Sequence, residues 1–314
     1  MKRKVIQIAD STQLVSLPRK WAVEHGVKKG DEVEVTEEGN KIVIEISQEK
    51  VPDENLELDI SELDKDSLIF LLRGLFIRGY EGIKLVFRTP VTKHHRTGQE
   101  VRFVSVIHGE ISRAIGYEIT QERGDFVMVK RVSQSTIKEF DAMLKRIFLL
   151  ILDAAKDLSL GVKNQDFDLV STLEEKHNNI TKFIGYTLRI LYTVGYTEYN
   201  DTPFMFHIIS SLDMIIDILR NTARDIVSER IVATKDGIHI LEAIEKAISH
   251  YHELYYKFSF KKCEEFSSAR DEIITSIKKM SKKLTKEDIR ILTATEQVLE
   301  VFRELFSARI AVEY

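Results

Sequence analysis

The chain has 314 residues, of which 43% are apolar and 31% are charged, and its formal net charge is −4. This length predicts two or three domains, and the near-neutral balance gives no sign of nucleic-acid binding by the chain as a whole. Cys263 is the sole cysteine, which excludes an intrachain disulfide and a thiolate metal cluster. The longest apolar run, Ile147–Leu152, is far shorter than a membrane span, and the N-terminus lacks an apolar signal core. We therefore expect a cytoplasmic protein without membrane insertion.

The first 48 residues predict two short strands, a helix and a hairpin. Apolar residues 5–8 and 14–17 indicate the strands, and the helix begins at Pro18 and stops at Gly26, the expected placement of these two residue types. Apolar residues at 33–35 and 42–46 flank the turn Glu38-Gly39-Asn40, which is typical of a hairpin. A unit this small cannot close a core alone, so we expect two copies to interlock as a homodimer or higher even oligomer.

Charge is divided within this segment. Residues 1–30 carry seven basic and two acidic side chains, whereas residues 31–47 carry one basic and six acidic side chains. A dimer would place two basic faces side by side, as expected for a surface that binds duplex DNA. The candidate DNA-binding residues are Lys2, Arg3, Lys4, Arg19, Lys20, Lys28 and Lys29.

The same segment resembles the AbrB/SpoVT/MazE family of swapped-hairpin DNA-binding domains. The resemblance is carried by the sequence SLPRKW at 16–21, by GVKKGDEV at 26–33 and by the hairpin that follows. Many members have Gly-Arg before the second strand, where this chain has Ser11-Thr12-Gln13, so one basic group is missing. The resemblance implies a dimeric DNA-binding domain at residues 1–48. The alternative is a domain used only for dimerisation, with scattered surface charge.

Residues 48–54 have the composition of a linker, and residues 53–132 predict a small α+β domain of order β-α-β-α-β-β. The second of its helices is expected to carry apolar residues from Val101 to Ala114. The loop 89–99 between strand and helix contains a basic cluster that offers an anion site or, with its adjacent histidines, a metal ligand set; a solvated loop is the alternative. The candidate anion-binding residues are Lys93, His94, His95 and Arg96.

Residues 133–314 predict helix almost throughout, because apolar residues recur at intervals of three and four. Six helices of similar length, with a break near 232–237 at Lys235-Asp236-Gly237, suggest two three-helix bundles formed by an internal repeat. The predicted fold class is therefore a mainly α multidomain protein, with an N-terminal swapped-hairpin β domain, a small α+β middle domain and a C-terminal pair of three-helix bundles.

The helical part is similar to the PhoU family, and the whole arrangement resembles the archaeal phosphate uptake regulators. That family holds metal ions with E/D-x-x-x-D motifs on helices two and three of each bundle. Carboxylates four residues apart share one helix face, and oxygen ligands suit Mg, Mn or Fe. The candidate metal ligands are Glu174, Glu175, Asp213 and Asp217 in the first bundle, and Glu296 and Glu300 in the second. For every pair the alternative is a solvated helix face.

These resemblances imply a DNA-binding transcriptional regulator of phosphate uptake that couples the status of a phosphate ABC transporter, through its ATPase or sensor, to gene expression. The alternative is a PhoU-like scaffold that docks on the transporter ATPase and uses its N-terminal domain only to dimerise. No nucleophile elbow, phosphate-binding glycine loop or H-E-x-x-H motif occurs in the sequence, so we do not expect an enzyme.

Overall fold

A computed structural model describes residues 3–8, 12–24, 26–38, 41–46, 55–133, 136–196 and 199–314. They form two compact units, Met1–Asp53 and Glu54–Tyr314, so the predicted middle domain and helical domain share the second unit. Lys2, the turn residues Gly39 and Asn40, and the predicted linker 48–54 lie outside the described residues.

The first unit contains the elements that the sequence predicts. They are β1 (Ile6–Ile8), β2 (Thr12–Leu14), α1 (Arg19–Glu24), β3 (Val33–Glu38) and β4 (Lys41–Ile46). Strands β1 and β2 pair antiparallel, as do β3 and β4. Gly26 ends α1 in the left-handed region at φ +68°, and the next residue, Val27, donates its N–H to the carbonyl of Ala22 at 2.8 Å. This closure satisfies a terminal carbonyl of the helix.

Apolar side chains of the first unit are left open to solvent. Ile6 and Leu14 face each other across β1 and β2 and are 59% and 45% exposed. None of the side chains described in this unit is buried. Exposed apolar surface in so small a unit is a feature of surfaces that a second copy covers, in agreement with the predicted dimer.

We expect a fragment of residues 1–53 to be a dimer, and the double substitution Ile6→Asp with Leu14→Asp to prevent dimerisation. The two carboxylates would lie on the apolar face and would lose hydration in the dimer. Sedimentation at micromolar concentration measures the change. The matched control is Gln7→Asp with Gln13→Asp, since these residues form the neighbouring pair in the same register and point to the other face. A folded wild-type monomer would contradict the prediction.

The second unit begins with an α+β layer. Its elements are β5 (Asn55–Asp59), α2 (Lys65–Arg78), β6 (Gly82–Val86), β7 (Val91–His94), β8 (Gln99–Arg102), α3 (Phe103–Ile111), β9 (Tyr117–Glu122) and β10 (Phe126–Arg131). Four strands form one sheet in the order β5-β6-β10-β9, in which β5 and β6 are parallel and the other pairs are antiparallel. Apolar residues of the sheet and of α2 and α3 share one core.

A second hairpin, β7–β8, corrects the predicted order of this layer. The prediction of a loop at 89–99 was wrong, because β7 and β8 pair antiparallel from Val91↔Arg102 to His94↔Gln99. Val101 therefore belongs to a strand and not to the second helix, which begins at Phe103. Gly98 has φ +67°, the conformation that a tight turn between these short strands requires.

The rest of the second unit is helical. Its helices are α4 (Phe140–Asn164), α5 (Phe167–Ser171), α6 (Leu173–Thr193), α7 (Thr202–Glu229), α8 (Lys235–Tyr256), α9 (Phe260–Met280) and α10 (Lys286–Glu313). Helices α4, α6 and α7 pack on one another, as do α8, α9 and α10, and contacts of α7 with α10 and of α4 with α8 join the two sets. They share one continuous core. The prediction of a mainly helical chain with an N-terminal strand hairpin is confirmed.

Helix α8 begins where the sequence predicted a break. Residues Lys235-Asp236-Gly237 form its first turn, because the Thr234 hydroxyl accepts the Gly237 N–H at 3.2 Å and caps the helix. Gly237 is needed for a close approach rather than as a helix breaker: a Cβ there would lie 2.2 Å from Oδ1 of Asp288. The interruption between α7 and α8 lies at residues 230–234.

Helix α7 is the one described helix long and apolar enough to cross a membrane by length and composition. Many of its apolar residues, among them Ile208, Leu212, Ile215 and Leu219, are buried among the other helices, whereas Met214 is exposed. A core helix of a soluble protein has the same composition, so this helix is weak grounds for a membrane protein.

Candidate DNA-binding surface and carboxylate cluster

The predicted carboxylates Asp213 and Asp217 lie one turn apart on α7, and Arg220 and Arg224 continue the same face. Asp217 Oδ1 lies 2.9 Å from Nε2 of the buried His177 on α6 and 2.7 Å from the Arg220 guanidinium. Burial acts to raise the pKa of Asp217, but the hydrogen bond from His177 and the charge of Arg220 outweigh it, so this pKa lies below its usual range. Asp217 is thus held as an anion by side chains of the protein.

Of the other predicted ligands, Glu174 and Glu300 are paired with arginines, Glu175 is exposed and Glu296 is partly buried. Glu174 accepts two hydrogen bonds from Arg224, at 2.6 and 2.7 Å, while Glu175 is exposed. In the second set of helices, Glu300 accepts from Nε of Arg270 at 2.6 Å. Burial, reinforced by the charge of Glu300, raises the pKa of Glu296.

Arginines, rather than further metal-ligating side chains, are paired with three of these carboxylates, those of Asp217, Glu174 and Glu300. The described residues include no group of three or more His, Cys, Asp or Glu side chains placed to hold a metal ion, and the arginines supply the positive charge that a cation would bring. Metal binding by these residues stays a prediction.

Asp213 differs sharply from its neighbour one turn away. Its Oδ1 is buried and has no hydrogen-bond partner among the described residues. Burial and, second, the charge of Asp217 raise the pKa of Asp213, in spite of the opposing charges of Arg73, His177 and Arg220. Asp213 and Asp217, one helical turn apart, therefore have pKa values shifted in opposite directions.

We expect Asp213→Asn and Asp217→Asn to change stability with opposite signs at pH 7. A raised folded-state pKa means that stability falls as the pH rises from the unfolded value, near 4, through the folded value. The neutral amide of Asp213→Asn avoids that loss and should raise the free energy of unfolding by about 1 kcal/mol. Asp217 stabilises above its unfolded pKa and loses this contribution as the pH falls through its lower folded value. Because its side chain is 43% exposed and solvent screens its ion pairs, Asp217→Asn should lower the free energy of unfolding by less than about 1 kcal/mol.

Urea unfolding at several pH values between about 3 and 7 measures both effects over the range in which carboxyl groups titrate. Each variant is the control for the other, since the chemical change and the helix face are the same. A loss of stability in both variants would contradict the inference that the buried, unpaired carboxylate of Asp213 destabilises the folded protein at pH 7.

The four predicted anion-binding residues lie in and next to strand β7 of the hairpin β7–β8, and they do not all face the same way. His94 and Arg96 line a cleft in the second unit together with residues of α2, α3, α6 and α7, whereas Lys93 and His95 do not line it. Nδ1 of His94 lies 2.8 Å from the Thr97 hydroxyl, and Nε2 of His95 lies 3.9 Å from Asp64. Two of the four residues therefore face a common concave surface.

The predicted DNA-binding residues form an exposed basic set in the first unit. Arg19 and Lys20 open α1, Lys28 and Lys29 follow it, and Arg3 and Lys4 precede β1. All six side chains are exposed, and none has an ion-pair partner among the residues that the structure describes. Unneutralised cations on one small unit attract a polyanion such as duplex DNA.

Residues 6–54 match the MazE family. The description of that family is antidote–toxin recognition MazE, bacterial antitoxin. The match confirms the MazE part of the resemblance for the first unit, and the MazE-type domain is a regulator domain rather than an enzyme. It indicates DNA binding or antitoxin-like regulation.

The family match covers residues 6–54 and does not extend to the helices. No curated protein and no solved structure matches the chain. The PhoU-like nature of the helices, an archaeal origin and a role in phosphate uptake therefore stay predictions.

The charged residues that surround the α7 carboxylates were not predicted from the sequence. Arg220 lies three residues after Asp217, and Arg224 lies four residues after Arg220, so their place on the same face could be predicted from the sequence. Arg73 on α2 and the buried Glu110 on α3 pair at 2.9 Å. No signal in the sequence places these two against α7, because they come from a different layer of the unit.

Proposed function

We propose that the protein is a dimeric DNA-binding regulator, whose MazE-type domain holds duplex DNA through its basic residues. The match of residues 6–54 carries the proposal, since domains of the MazE/AbrB type bind DNA and form dimers. The exposed, unpaired cations of the same unit support it, because phosphate contacts supply most of the non-specific affinity for DNA.

The double substitution Arg19→Ala with Lys20→Ala should weaken DNA binding about tenfold or more for every duplex sequence. Each lost phosphate contact also lowers the slope of log affinity against log salt by about 0.9. Fluorescence anisotropy on several duplexes over roughly 50 to 200 mM salt measures both quantities.

The matched control is Lys282→Ala with Lys283→Ala, which removes two adjacent exposed charges from the second unit. This pair should leave affinity and salt slope unchanged. Equal losses in both double variants would mean that only the net charge matters, and the proposed surface would be wrong.

We further propose that the regulated process is phosphate uptake, with the helices relaying the status of the transporter. The support is the resemblance of the six long helices to PhoU and the resemblance of the whole chain to archaeal phosphate uptake regulators. A deletion strain should then express its phosphate-transporter genes at the same level in phosphate-rich and phosphate-poor medium. Unchanged regulation in that strain would contradict this role.

Two alternative functions do not require DNA binding, so a DNA-binding measurement distinguishes them from the proposed one. A PhoU-like scaffold on the transporter ATPase would dimerise without affinity for DNA. The description of the matched family favours a further candidate, an antitoxin-like domain that recognises a protein partner. Absence of salt-dependent DNA binding by an intact dimer would favour one of these two. All three functions belong in the cytoplasm.

A further inference from the structure

The second unit contains a cleft of 580 Å³ that no function above uses. One wall comes from α2, α3 and the hairpin β7–β8, and the other comes from α6 and α7. Small-molecule sites have volumes of about 300–1,000 Å³ and lie preferentially between layers or domains. The cleft therefore has the size and the place of a ligand site.

Positive charge exceeds negative charge in this cleft. Its lining includes three carboxylates, those of Asp66, Glu110 and Glu174, and six basic groups, those of Lys65, Arg73, Arg96, Arg113, Arg220 and Arg224. Glu110 pairs with Arg73 and Arg113, at 2.9 and 3.4 Å. Lys65 and Arg96 have no ion-pair partner among the described residues. An anion that enters the cleft meets unneutralised cations in a concave site, where their field is concentrated.

The guanidinium groups of the lining favour a phosphoryl group over a simple monovalent anion. Arginine presents a planar set of donors that matches phosphate oxygens in pairs. Arg96, which has no ion-pair partner among the described residues, enters the cleft from one wall. Arg220 and Arg224 lie one turn apart on the opposite wall, where they pair with Asp217 and Glu174 at 2.7 and 2.6 Å and keep further N–H donors for a ligand. A ligand with one or more phosphates can thus contact both walls at once.

An apolar surface lies in the same cleft. Phe70 lines it and is 70% exposed, although it is a large aromatic residue. Ile69 and Val101 line the cleft as well and are half-buried. Exposed aromatic rings next to arginines are suited to stacking with a planar group.

From these observations we propose that the cleft binds a phosphorylated small molecule with a planar moiety, of the size of a nucleotide. The phosphates contact the arginines, and the planar group packs on Phe70. The inference rests on the second unit alone and is independent of DNA binding by the first.

The experiment compares AMP, ATP, adenosine and inorganic phosphate as ligands of the full-length protein at low salt. Calorimetry gives each affinity, and the melting temperature gives an independent reading, because a ligand that binds only the folded state stabilises it. AMP or ATP should bind saturably, inorganic phosphate at least tenfold more weakly, and adenosine not measurably. Absence of saturable binding of AMP and of ATP would overturn the proposal.

Variants show whether binding occurs in this cleft. Arg96→Gln and Phe70→Ala should each weaken AMP binding about tenfold, and both side chains are exposed, so the fold should tolerate the changes. Lys93→Gln is the matched control for Arg96→Gln, since it removes an exposed charge from the same hairpin outside the cleft. Arg19→Ala with Lys20→Ala tests for binding on the MazE-type domain and should leave the affinity for AMP unchanged.

Two patterns of results would overturn the proposal. If Arg96→Gln and Lys93→Gln have equal effects, or if the Arg19 and Lys20 double variant loses AMP binding, the nucleotide binds elsewhere. If inorganic phosphate binds as tightly as AMP and Phe70→Ala has no effect, the site binds free phosphate. The proposal that a planar group of the ligand packs on Phe70 would then be wrong.

Discussion

Replacing Asp288 by alanine is expected to lower the free energy of unfolding by about 3 kcal/mol, since it leaves several buried donors unpaired. The side chain is 0% exposed. Its carboxylate accepts the Thr234 N–H at 2.8 Å and the Thr234 hydroxyl at 2.7 Å, both at the start of α8, and the Thr285 N–H at 3.0 Å, at the start of α10. One carboxylate thus caps two helices, so its loss should affect both.

Urea unfolding of Asp288→Ala measures the loss, and Asp236→Ala is the control because Asp236 is exposed in the first turn of α8. Burial acts to raise the pKa of Asp288, but the hydrogen bonds from Thr234 and Thr285 outweigh it and lower this pKa. The contribution of Asp288 is therefore present above its unfolded pKa, near 4, and disappears as the pH falls through the lower folded value. The variant should lack this part of the acid dependence; equal stability of the two variants would contradict the role of Asp288.

Arg189→Ala is expected to cost about 3 kcal/mol and to weaken the coupling between the α+β layer and the helices. Arg189 on α6 is 2% exposed. It donates from Nη2 to the carbonyl of Ile115 at 2.6 Å, and its guanidinium lies 5.0 Å from the ring centre of Tyr117 and 5.1 Å from that of Tyr186. The substitution leaves a cavity and an unpaired carbonyl between the two layers.

Calorimetry should therefore show a lower melting temperature and a broader or divided transition for Arg189→Ala. The control is Arg146→Ala, because the Arg146 guanidinium also lies over an aromatic ring, 4.4 Å from the centre of Phe183, but its side chain is exposed. That variant should lose less than about 1 kcal/mol. Equal losses from the two substitutions would show that Arg189 does not connect the layers.

The long helices were predictable because each carries an apolar stripe over many turns. Six long helices were predicted from spacing alone, and they correspond to α4, α6, α7, α8, α9 and α10, since long amphipathic helices give the strongest sequence signal. The hairpin β7–β8 gave a weak signal, because its strands are only four residues long and include Lys93, His94 and Glu100. Short polar strands do not show a clear alternation.

The start of α8 and the surroundings of the carboxylates were not predictable, for a different reason. Gly237 was interpreted as a helix breaker, whereas it accommodates the carboxylate of Asp288, which is distant in sequence. In the same way, the spacing of Asp213 and Asp217 gave their common face, but the approach of Arg73 depends on the packing of α2 against α6. Local patterns define faces of elements, and tertiary packing decides which faces meet.

The burial of α7 has a consequence for synthesis of the protein on the ribosome. Much of the apolar surface of α7 is covered by α10, which the ribosome completes only after a further stretch of chain that extends from Glu229 to Glu313. At a synthesis rate of about 5–20 residues per second, roughly 4–17 seconds pass between completion of α7 and completion of α10. Throughout that interval the face of α7 that α10 covers stays exposed on the nascent chain, although α4 and α6 are already available to pack on its other side. The helix itself is long and apolar enough, by length and composition, to cross a membrane. A message truncated before α10 should therefore yield a product that aggregates, binds chaperones or associates with membranes, whereas the completed chain has covered the same surface.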